Sequence, residues 1–353
     1  MSKRNITSVD VAQRAGVSQS AVSRTFTIGA SVSAKTRDKV LTAARELGYR
    51  PNAIARSLIT SRSRMIGVVM AYLENQFYPG VLEALSGQLQ ERGYQVLLFT
   101  GFKDRNSDPF FEQIMQYQVD GLLLASTSLS SALSEECAKA GIPVVMFNRT
   151  TRRRNTSSVT TDNRQGGRHV ADFLVAGSHK RYGYVAGVTN SSTNRDREAG
   201  FFEGLKTHGI TNGISVPGEN TMSGAADAAR TLLKRRHPPD AIFVNNDNMA
   251  IAVMDVAKSE FGLKVPDDVS IVSYDDTGPA SWHGYQLTSY AQPLRPMVDA
   301  AVALLMAQLE DNRRDPVHTI IEGHLAVRTS ARLPRAAVYD SDDKIIWSPS
   351  NVA

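Results

Sequence analysis

Gln19, Ser20, Ser23 and Arg24 share the outward side of a short segment whose other side carries Ala21 and Val22. Gln pairs bidentately with an adenine edge and Arg with a guanine edge, and small serines between them let a helix approach its target closely. Much further along, Arg149, Arg197, Asn246 and Asp275 sit near the ends of short apolar runs. By spacing alone each has an ordinary structural use: a surface ion pair for Arg197, a helix cap for Asn246, a turn for Asp275. Catalytic patterns are missing. There is no Walker-type glycine loop, no Gly-x-Ser-x-Gly elbow and no His-Glu-x-x-His pair. The seven histidines are scattered without ligand spacing, and a single cysteine, Cys137, excludes a cysteine-rich zinc site and an internal disulfide framework. Neither enzymatic activity, nor a cofactor, nor a metal is expected.

The elements that position the first group are legible from caps and stops. Thr7 opens a helix, with Asp10 three residues on completing a capping box, and Gly16 ends it. Val9, Ala12 and Ala15 lie near one face of that helix. Ser18 caps a second helix over residues 19–26, buried through Ala21, Val22 and Phe26. Ser33 caps a third, with Val40, Leu41, Ala44 and Leu47 inward and Gly48 as its stop. Three short helices with a tight Ala15-Gly16-Val17-Ser18 turn make a helix-turn-helix, in which the second helix enters the DNA major groove. Pro51 closes the third helix and Asn52 caps a short segment, residues 53–58, too short to be a stable helix alone.

Charge is distributed to match. Residues 1–62 hold eleven Lys or Arg against three acids, +8, so the rest of a chain of net charge +5 carries −3. A basic head on a mildly acidic body is the electrostatic footprint of nucleic-acid binding. The composition, 42% hydrophobic and 21% charged over 353 residues, suits two or three globular domains. The basic N-terminus runs into a polar stretch rather than a signal core, and the longest apolar run, near residues 66–70, is far too short to span a bilayer. A cytoplasmic location without membrane association is expected.

From residue 64 on, β-branched runs alternate with helical stretches. Strands are expected at 65–69, 95–99, 121–125, 144–147, 182–186, 241–244 and 269–273. Helices are expected at 80–92, 165–176, 199–208, 225–235 and 249–260. This alternation predicts parallel sheets covered on both faces, in two similar subdomains. Residues 287–291 and a helix at 295–309 are expected to cross back to the first. A cleft outside the carboxyl ends of the strands is the natural ligand site.

The run Val9-Asp10-Val11-Ala12-Gln13-Arg14-Ala15-Gly16-Val17-Ser18, then Ala21-Val22-Ser23-Arg24, and Val32-Ser33 through Leu47-Gly48-Tyr49-Arg50-Pro51-Asn52, resembles the head of LacI/GalR-type bacterial regulators. That family usually carries Thr where Ala21 stands. The body resembles the periplasmic sugar-binding-protein fold attached to such heads. The motifs are Asp120-Gly121-Leu122, Gly141-Ile142-Pro143-Val144-Val145, Asp162-Asn163 before Gly166-Gly167, Arg197-Glu198-Ala199-Gly200-Phe201, Asn246-Asp247-Asn248-Met249-Ala250, Tyr274-Asp275-Asp276 and Gln292-Pro293. The likeness spans residues 6–333. It implies a small all-α helix-turn-helix head plus an α/β body of two Rossmann-like subdomains, periplasmic-binding-protein-like. The expected domains are residues 1–50, a hinge helix and linker at 51–63, an effector-binding and dimerisation body at 64–333, and a tail at 334–353.

The resemblance also implies roles. The DNA-binding candidates are Thr7, Ser18, Gln19, Ser20, Ser23 and Arg24 in the head. In the linker they are Asn52, Ala55 at a helix crossing, Arg56 on phosphate and Leu58 as a wedge in the minor groove. Arg149, Arg197, Asn246 and Asp275 match effector-contacting positions. Phe77 and Tyr78, after the first strand, suit stacking on a sugar ring or packing in the core. Gln292 suits ligand contact or bracing of the strands between subdomains. Arg149 and Arg197, with Arg195, hint at a sugar acid; neutral sugars gripped by Arg–Asp pairs remain open. The expected protein is a homodimeric repressor that binds palindromic operator DNA under control of a small sugar-like effector. A secreted transport protein with the same body is the rival reading, against which the intact head counts.

Overall fold

The computed structural model describes residues 6–27, 30–50, 62–100, 114–125, 131–151, 155–311, 315–335, 337–339 and 345–347. The chain divides into two compact units, Met1–Ser63 and Arg64–Ala353.

In the first unit three helices follow the caps read from the sequence: α1 (Ser8–Ala15), α2 (Gln19–Thr25) and α3 (Ala34–Leu47). The Thr7 hydroxyl accepts from the Asp10 amide while the Asp10 carboxylate accepts from the Thr7 amide at 2.8 Å, so two orphan donors are satisfied reciprocally. Gly16 and Gly48 both sit at φ 66°, a left-handed stop that glycine adopts without strain. Val11, Ala12, Val22, Val40, Ala43 and Ala44 form the core. Val9, expected near the Ala12 face, is exposed. The stripe that meets α2 and α3 is instead Val11, Ala12 and Ala15, so Val9 points away. The expected hinge segment, with Asn52, Ala55, Arg56 and Leu58, lies outside the described residues.

The second unit contains two six-stranded sheets. The first is built from β1 (Met65–Met70), β2 (Gln95–Thr100), β3 (Gly121–Ala125), β4 (Val144–Phe147), β5 (Ser157–Thr161) and β11 (His318–Ile321). Its order is β11-β5-β4-β3-β1-β2, all parallel. The second holds β6 (Tyr182–Ala186), β7 (Ile214–Pro217), β8 (Ala241–Val244), β9 (Ser270–Asp275), β10 (Thr288–Ala291) and β12 (His324–Ala326). Its order is β12-β10-β9-β8-β6-β7, with only the β10–β12 pair antiparallel. Helices α4 (Phe77–Glu91), α5 (Ser131–Ala140) and α10 (Leu294–Glu310) belong to the first subdomain, and α6 (Asn163–Ala176), α7 (Ser192–Thr207), α8 (Met222–Leu233) and α9 (Asp247–Asp255) to the second. Apolar cores lie on both faces of each sheet, which is why the central strands read as continuous apolar runs.

The chain passes between the sheets after β5, after β10 and between β11 and β12. The expectation that residues 287–291 already belong to the first subdomain is corrected: β10 pairs with β9 in the second sheet, and the crossing falls just after it, at Gln292-Pro293. Thr161, at the first crossing, donates to Gln292 Oε1 at 3.2 Å. At the third crossing a Cβ on Gly323 would lie 2.3 Å from the Ala291 carbonyl oxygen, so glycine lets the crossings touch. The tail is less separate than expected. Ile345 bridges Val327, and Trp347 is buried edge-on against Phe173 at 5.3 Å between ring centres.

Helices α6 and α7 cross at backbone contact. A Cβ on Gly200 would stand 1.9 Å from the Arg164 carbonyl oxygen, and one on Gly167 2.3 Å from that of Arg197. Gly200→Ala is therefore expected to destabilise the body by about 1–3 kcal/mol through overpacking. Urea denaturation checks this: an unchanged midpoint would mean that α6 and α7 separate at no cost.

Candidate functional site

The outward face of α2 carries polar side chains held close to the helix. Gln19, Ser20, Ser23 and Arg24 are exposed, while Ala21, Val22 and Thr25 are buried. Ser18 caps the helix, accepting from the Ala21 amide at 3.2 Å. Gln19 donates to the Ser8 hydroxyl at 3.0 Å, and Arg24 Nε donates to the Ser20 carbonyl at 3.4 Å. The buried Thr25 hydroxyl returns its proton to the Ala21 carbonyl at 2.8 Å. Both long side chains are thus restrained by bonds that a stronger partner can replace.

In the body, a polar cleft is lined by residues that follow strand ends. Tyr72, Asn75 and Tyr78 come after β1, Asn148 and Arg149 after β4, Asn220 after β7, Asn245 and Asn246 after β8, and Asp275 ends β9; Thr193 and Arg197 project from α7. They line a narrow, partly open cleft. Such a location, outside the carboxyl ends of parallel strands, is where open α/β sheets expose backbone and helix N-termini to a ligand.

Asp275 is the junction of this cleft. Its carboxylate accepts from Asn75 Nδ2 at 3.1 Å and from Gln292 Nε2 at 2.6 Å, and Arg197 Nη2 lies 3.5 Å away. The Arg197 guanidinium lies 3.6 Å above the Tyr274 ring, and it donates to Asn163 Oδ1 at 2.8 Å and to the Asn245 carbonyl at 2.6 Å. Asn75 bonds across the cleft, and so does the Thr150 amide, which donates to the Ser192 hydroxyl at 3.1 Å. Burial pushes the Asp275 carboxyl upward, against the pull of Arg197 and the amide donors. Arg149, on the opposite wall, is 8% exposed, and among the described residues its Nε has no hydrogen-bond partner; nor has Asn148 Oδ1. Burial lowers the Arg149 pKa, and the neighbouring Arg197 acts in the same direction.

Comparison with known proteins identifies the head and the body. The family profile described as bacterial regulatory proteins, lacI family, matches residues 7–52, and that of the periplasmic binding protein-like domain matches 171–331. The transcriptional regulator CelR of Thermobifida fusca is 32% identical over 91% of this chain and 96% of its own. The chain belongs to the LacI family of bacterial regulatory proteins. A structure of a CelR–cellobiose complex superposes with a TM-score of 0.70 at 30% identity, covering 93% of this chain and all of that one. The Lac repressor dimer bound to operator and the anti-inducer ONPF gives 0.82 at 27% identity, over 93% and 99%. This LacI-family chain is accordingly a transcriptional regulator with a helix-turn-helix DNA-binding head and a periplasmic-binding-protein-like body.

Within this LacI-family body the expected effector residues fall into three groups. Tyr78, Arg149, Arg197, Asn246 and Asp275 line the cleft. Of these Asn246 also caps α9, accepting from the Met249 amide at 2.9 Å. Gln292 is outside the wall but braces Asp275 and Thr161. Phe77 is not in the cleft: it is buried in the first core, stacked on Phe147 at 6.4 Å, because the first turn of α4 faces β4. Tyr72, Asn75, Asn148, Thr193, Asn220 and Asn245 line the cleft without having been singled out; a polar residue one to five places beyond a strand was the available signal for most of them. A larger cavity lies in the first subdomain beside Cys137, but its polar walls already bond one another, Ser134 to Thr156 at 3.1 Å and Gln308 to Ser157 at 2.7 Å.

Asp247 was named in a motif and given no role. It is fully buried at the start of α9 and accepts from Ser273 Oγ at 2.5 Å, Ser289 Oγ at 2.7 Å, and the Thr277 amide and hydroxyl at 2.6 and 2.9 Å. Burial first, and the Asp275 charge second, push its carboxyl up to about 7. Unfolded, it titrates near the ordinary 3.8. Between these values the folded state holds the extra proton, so this group lowers stability as pH rises from about 4 to 7. Asp247→Asn should flatten that fall. Urea unfolding of both proteins at pH 5 and pH 8 measures it, and parallel curves would show that Asp247 stays ionised throughout.

Proposed function

We propose that this LacI-family regulator binds a palindromic operator as a homodimer and represses transcription until, or only while, a small hydroxylated effector, a sugar or sugar acid, occupies the cleft. The observation that carries the effector half is the cleft itself: side chains from both subdomains converge at strand ends around the Arg197–Asp275 pair, and Arg149, which lines it, has an Nε without a hydrogen-bond partner among the described residues. The CelR structure with cellobiose and the Lac repressor structure with operator and anti-inducer support the reading.

In the head, α2 enters the major groove with Gln19, Ser20, Ser23 and Arg24 toward base edges, and Thr7 and Ser18 at helix N-termini toward phosphates. Asn52 caps the linker segment, Ala55 allows two such segments to cross, Arg56 meets phosphate and Leu58 wedges the minor groove, with bending offsetting a few kcal/mol of unstacking. In the body, Tyr78, Arg149, Arg197, Asn246 and Asp275 contact the effector and Gln292 positions Asp275. Ligand-driven reorientation of the subdomains changes whether the paired linker segments form, a coupling of about 1–3 kcal/mol. The regulator acts in the cytoplasm and catalyses no reaction.

Selection from a random DNA library at moderate salt, with and without metabolite extract, tests the whole reading. A palindrome with a kinkable centre should be enriched in one of the two conditions; no enrichment in either rejects operator binding. On the selected site, Arg24→Ala should lose roughly 1–3 kcal/mol of discrimination at one base pair of each half-site. Leu58→Ala should weaken operator binding and bending more than non-specific binding. Equal losses on both DNAs would remove Leu58 from the groove.

A further inference from the structure

We propose that the effector is an acid: a small hydroxylated monocarboxylate whose carboxylate lies against the Arg149 guanidinium while its hydroxyls meet Asp275 and the amides of the opposite wall. This rests on the cleft being the effector site and names the chemistry it selects. Arg149 is more than nine-tenths buried, lines the cleft, and has an Nε without a partner among the described residues. Among the described residues no carboxylate forms an ion pair with it, whereas Arg197, the other buried guanidinium of the cleft, already has Asp275. The remaining lining is hydroxyl and carboxamide. The walls therefore hold one cation in excess of their anions.

A buried charge without a counter-ion is strongly unfavourable, and the same charge becomes a strong anchor once a carboxylate supplies paired acceptors. One excess positive charge matches one negative charge. A phosphate, nearer to two, would leave an uncompensated anion in a desolvated cleft that already contains Asp275, with Asp247 buried behind it bonded to four neutral donors. A neutral sugar would satisfy the hydroxyl acceptors but leave the guanidinium unpaired. The shared chemistry is recognition of a polyhydroxylated anion, and the charge count selects the carboxylate.

Isothermal titration of the full-length protein with D-gluconate, D-glucuronate and D-galacturonate tests this, with D-glucose, D-galactose and D-glucose 6-phosphate as comparators. At least one acid should bind at least about 10-fold more tightly than its neutral parent. Arg149→Gln should weaken that acid by about 10- to 100-fold, Arg149→Lys by less. Removing an unpaired buried charge should also raise the melting temperature of the ligand-free Arg149→Gln protein, whereas a merely structural arginine would lower it. A neutral parent binding as tightly as its acid overturns the proposal, as does a phosphate binding first, an acid unaffected by Arg149→Gln, or no acid binding at all. The wild-type comparison stands even where a variant fails to fold. If a neutral sugar binds and shifts operator affinity, the acid assignment falls and the regulator reading stays. If acids bind and operator affinity never changes, the cleft's chemistry stands and its regulatory role falls.

Discussion

The carboxylate of Asp275 has been taken out of water and is shared by donors from three parts of the body. Asn75 reaches it from the loop after β1, Gln292 from the crossing behind β10, and Arg197 from α7. Desolvated, charge-assisted bonds are among the stronger polar contacts a protein makes, and a buried carboxylate left without them is heavily penalised. This group is therefore one of the links between the two subdomains, beside the Thr150–Ser192 bond. A ligand that offers hydroxyls to Asp275 competes for the acceptor that Asn75 now uses, replacing a direct link between subdomains by one that runs through itself. Such a ligand interacts differently with the linked and unlinked arrangements. That difference is the condition for shifting their populations, since equal contacts in both would shift nothing.

The fold limits what such a shift can be. Each subdomain has dense cores on both faces of its sheet, and packed cores change arrangement by discrete moves rather than by gradual deformation. The three crossings, in contrast, lie side by side. Thr161 is bonded to Gln292, and the Gly323 backbone sits against the Ala291 carbonyl where no Cβ would fit. Any rearrangement of one subdomain against the other has to run through this bundle of crossings. Gln292 belongs to the bundle and bonds Asp275 at 2.6 Å, so the cleft and the crossings meet in one side chain.

What the sequence revealed follows burial. Strands covered on both faces, at 121–125, 144–147, 182–186 and 241–244, stand at their expected bounds, because short, largely apolar runs between turn signals read as covered strands in an α/β pattern. Strand β5 was missed: its sequence, Ser157-Ser158-Val159-Thr160-Thr161, is polar, although every residue in it is buried. Its hydroxyls bond Gln308, His318 and Gln292 in place of apolar neighbours. Helix α7 begins seven residues before the expected start because Ser191 caps it, accepting from the Asn194 amide at 3.2 Å within a run of small polar residues that reads as loop. In the head, caps and glycines carried the boundaries, since those motifs are local. In the cleft, Asn75 and Asp275 are bonded across 200 residues of chain, a pairing that no local spacing records.

The same reasoning explains why a buried carboxylate sits at Asp247. Asp275 adopts φ 114° and Asp276 φ 55°, two successive non-glycine residues in strained backbone, a cost of order 1–3 kcal/mol each. Glycine would remove the strain, but at Asp275 it would also remove the acceptor that three donors need. The strain must therefore be held from outside. Asp247 accepts from Ser273 on one side of the strained pair and from the Thr277 amide and hydroxyl on the other. Ser289 closes the circuit, accepting from the Asp276 amide at 3.0 Å while donating to Asp247 at 2.7 Å. Arg328 pins the Asp276 carboxylate at 2.7 Å. All four donors to Asp247 are neutral; they fix its direction and favour its carboxylate form, but burial and the neighbouring Asp275 charge outweigh them and keep its pKa raised. Asp275 is thus aimed into the cleft by a second carboxylate that does not line it.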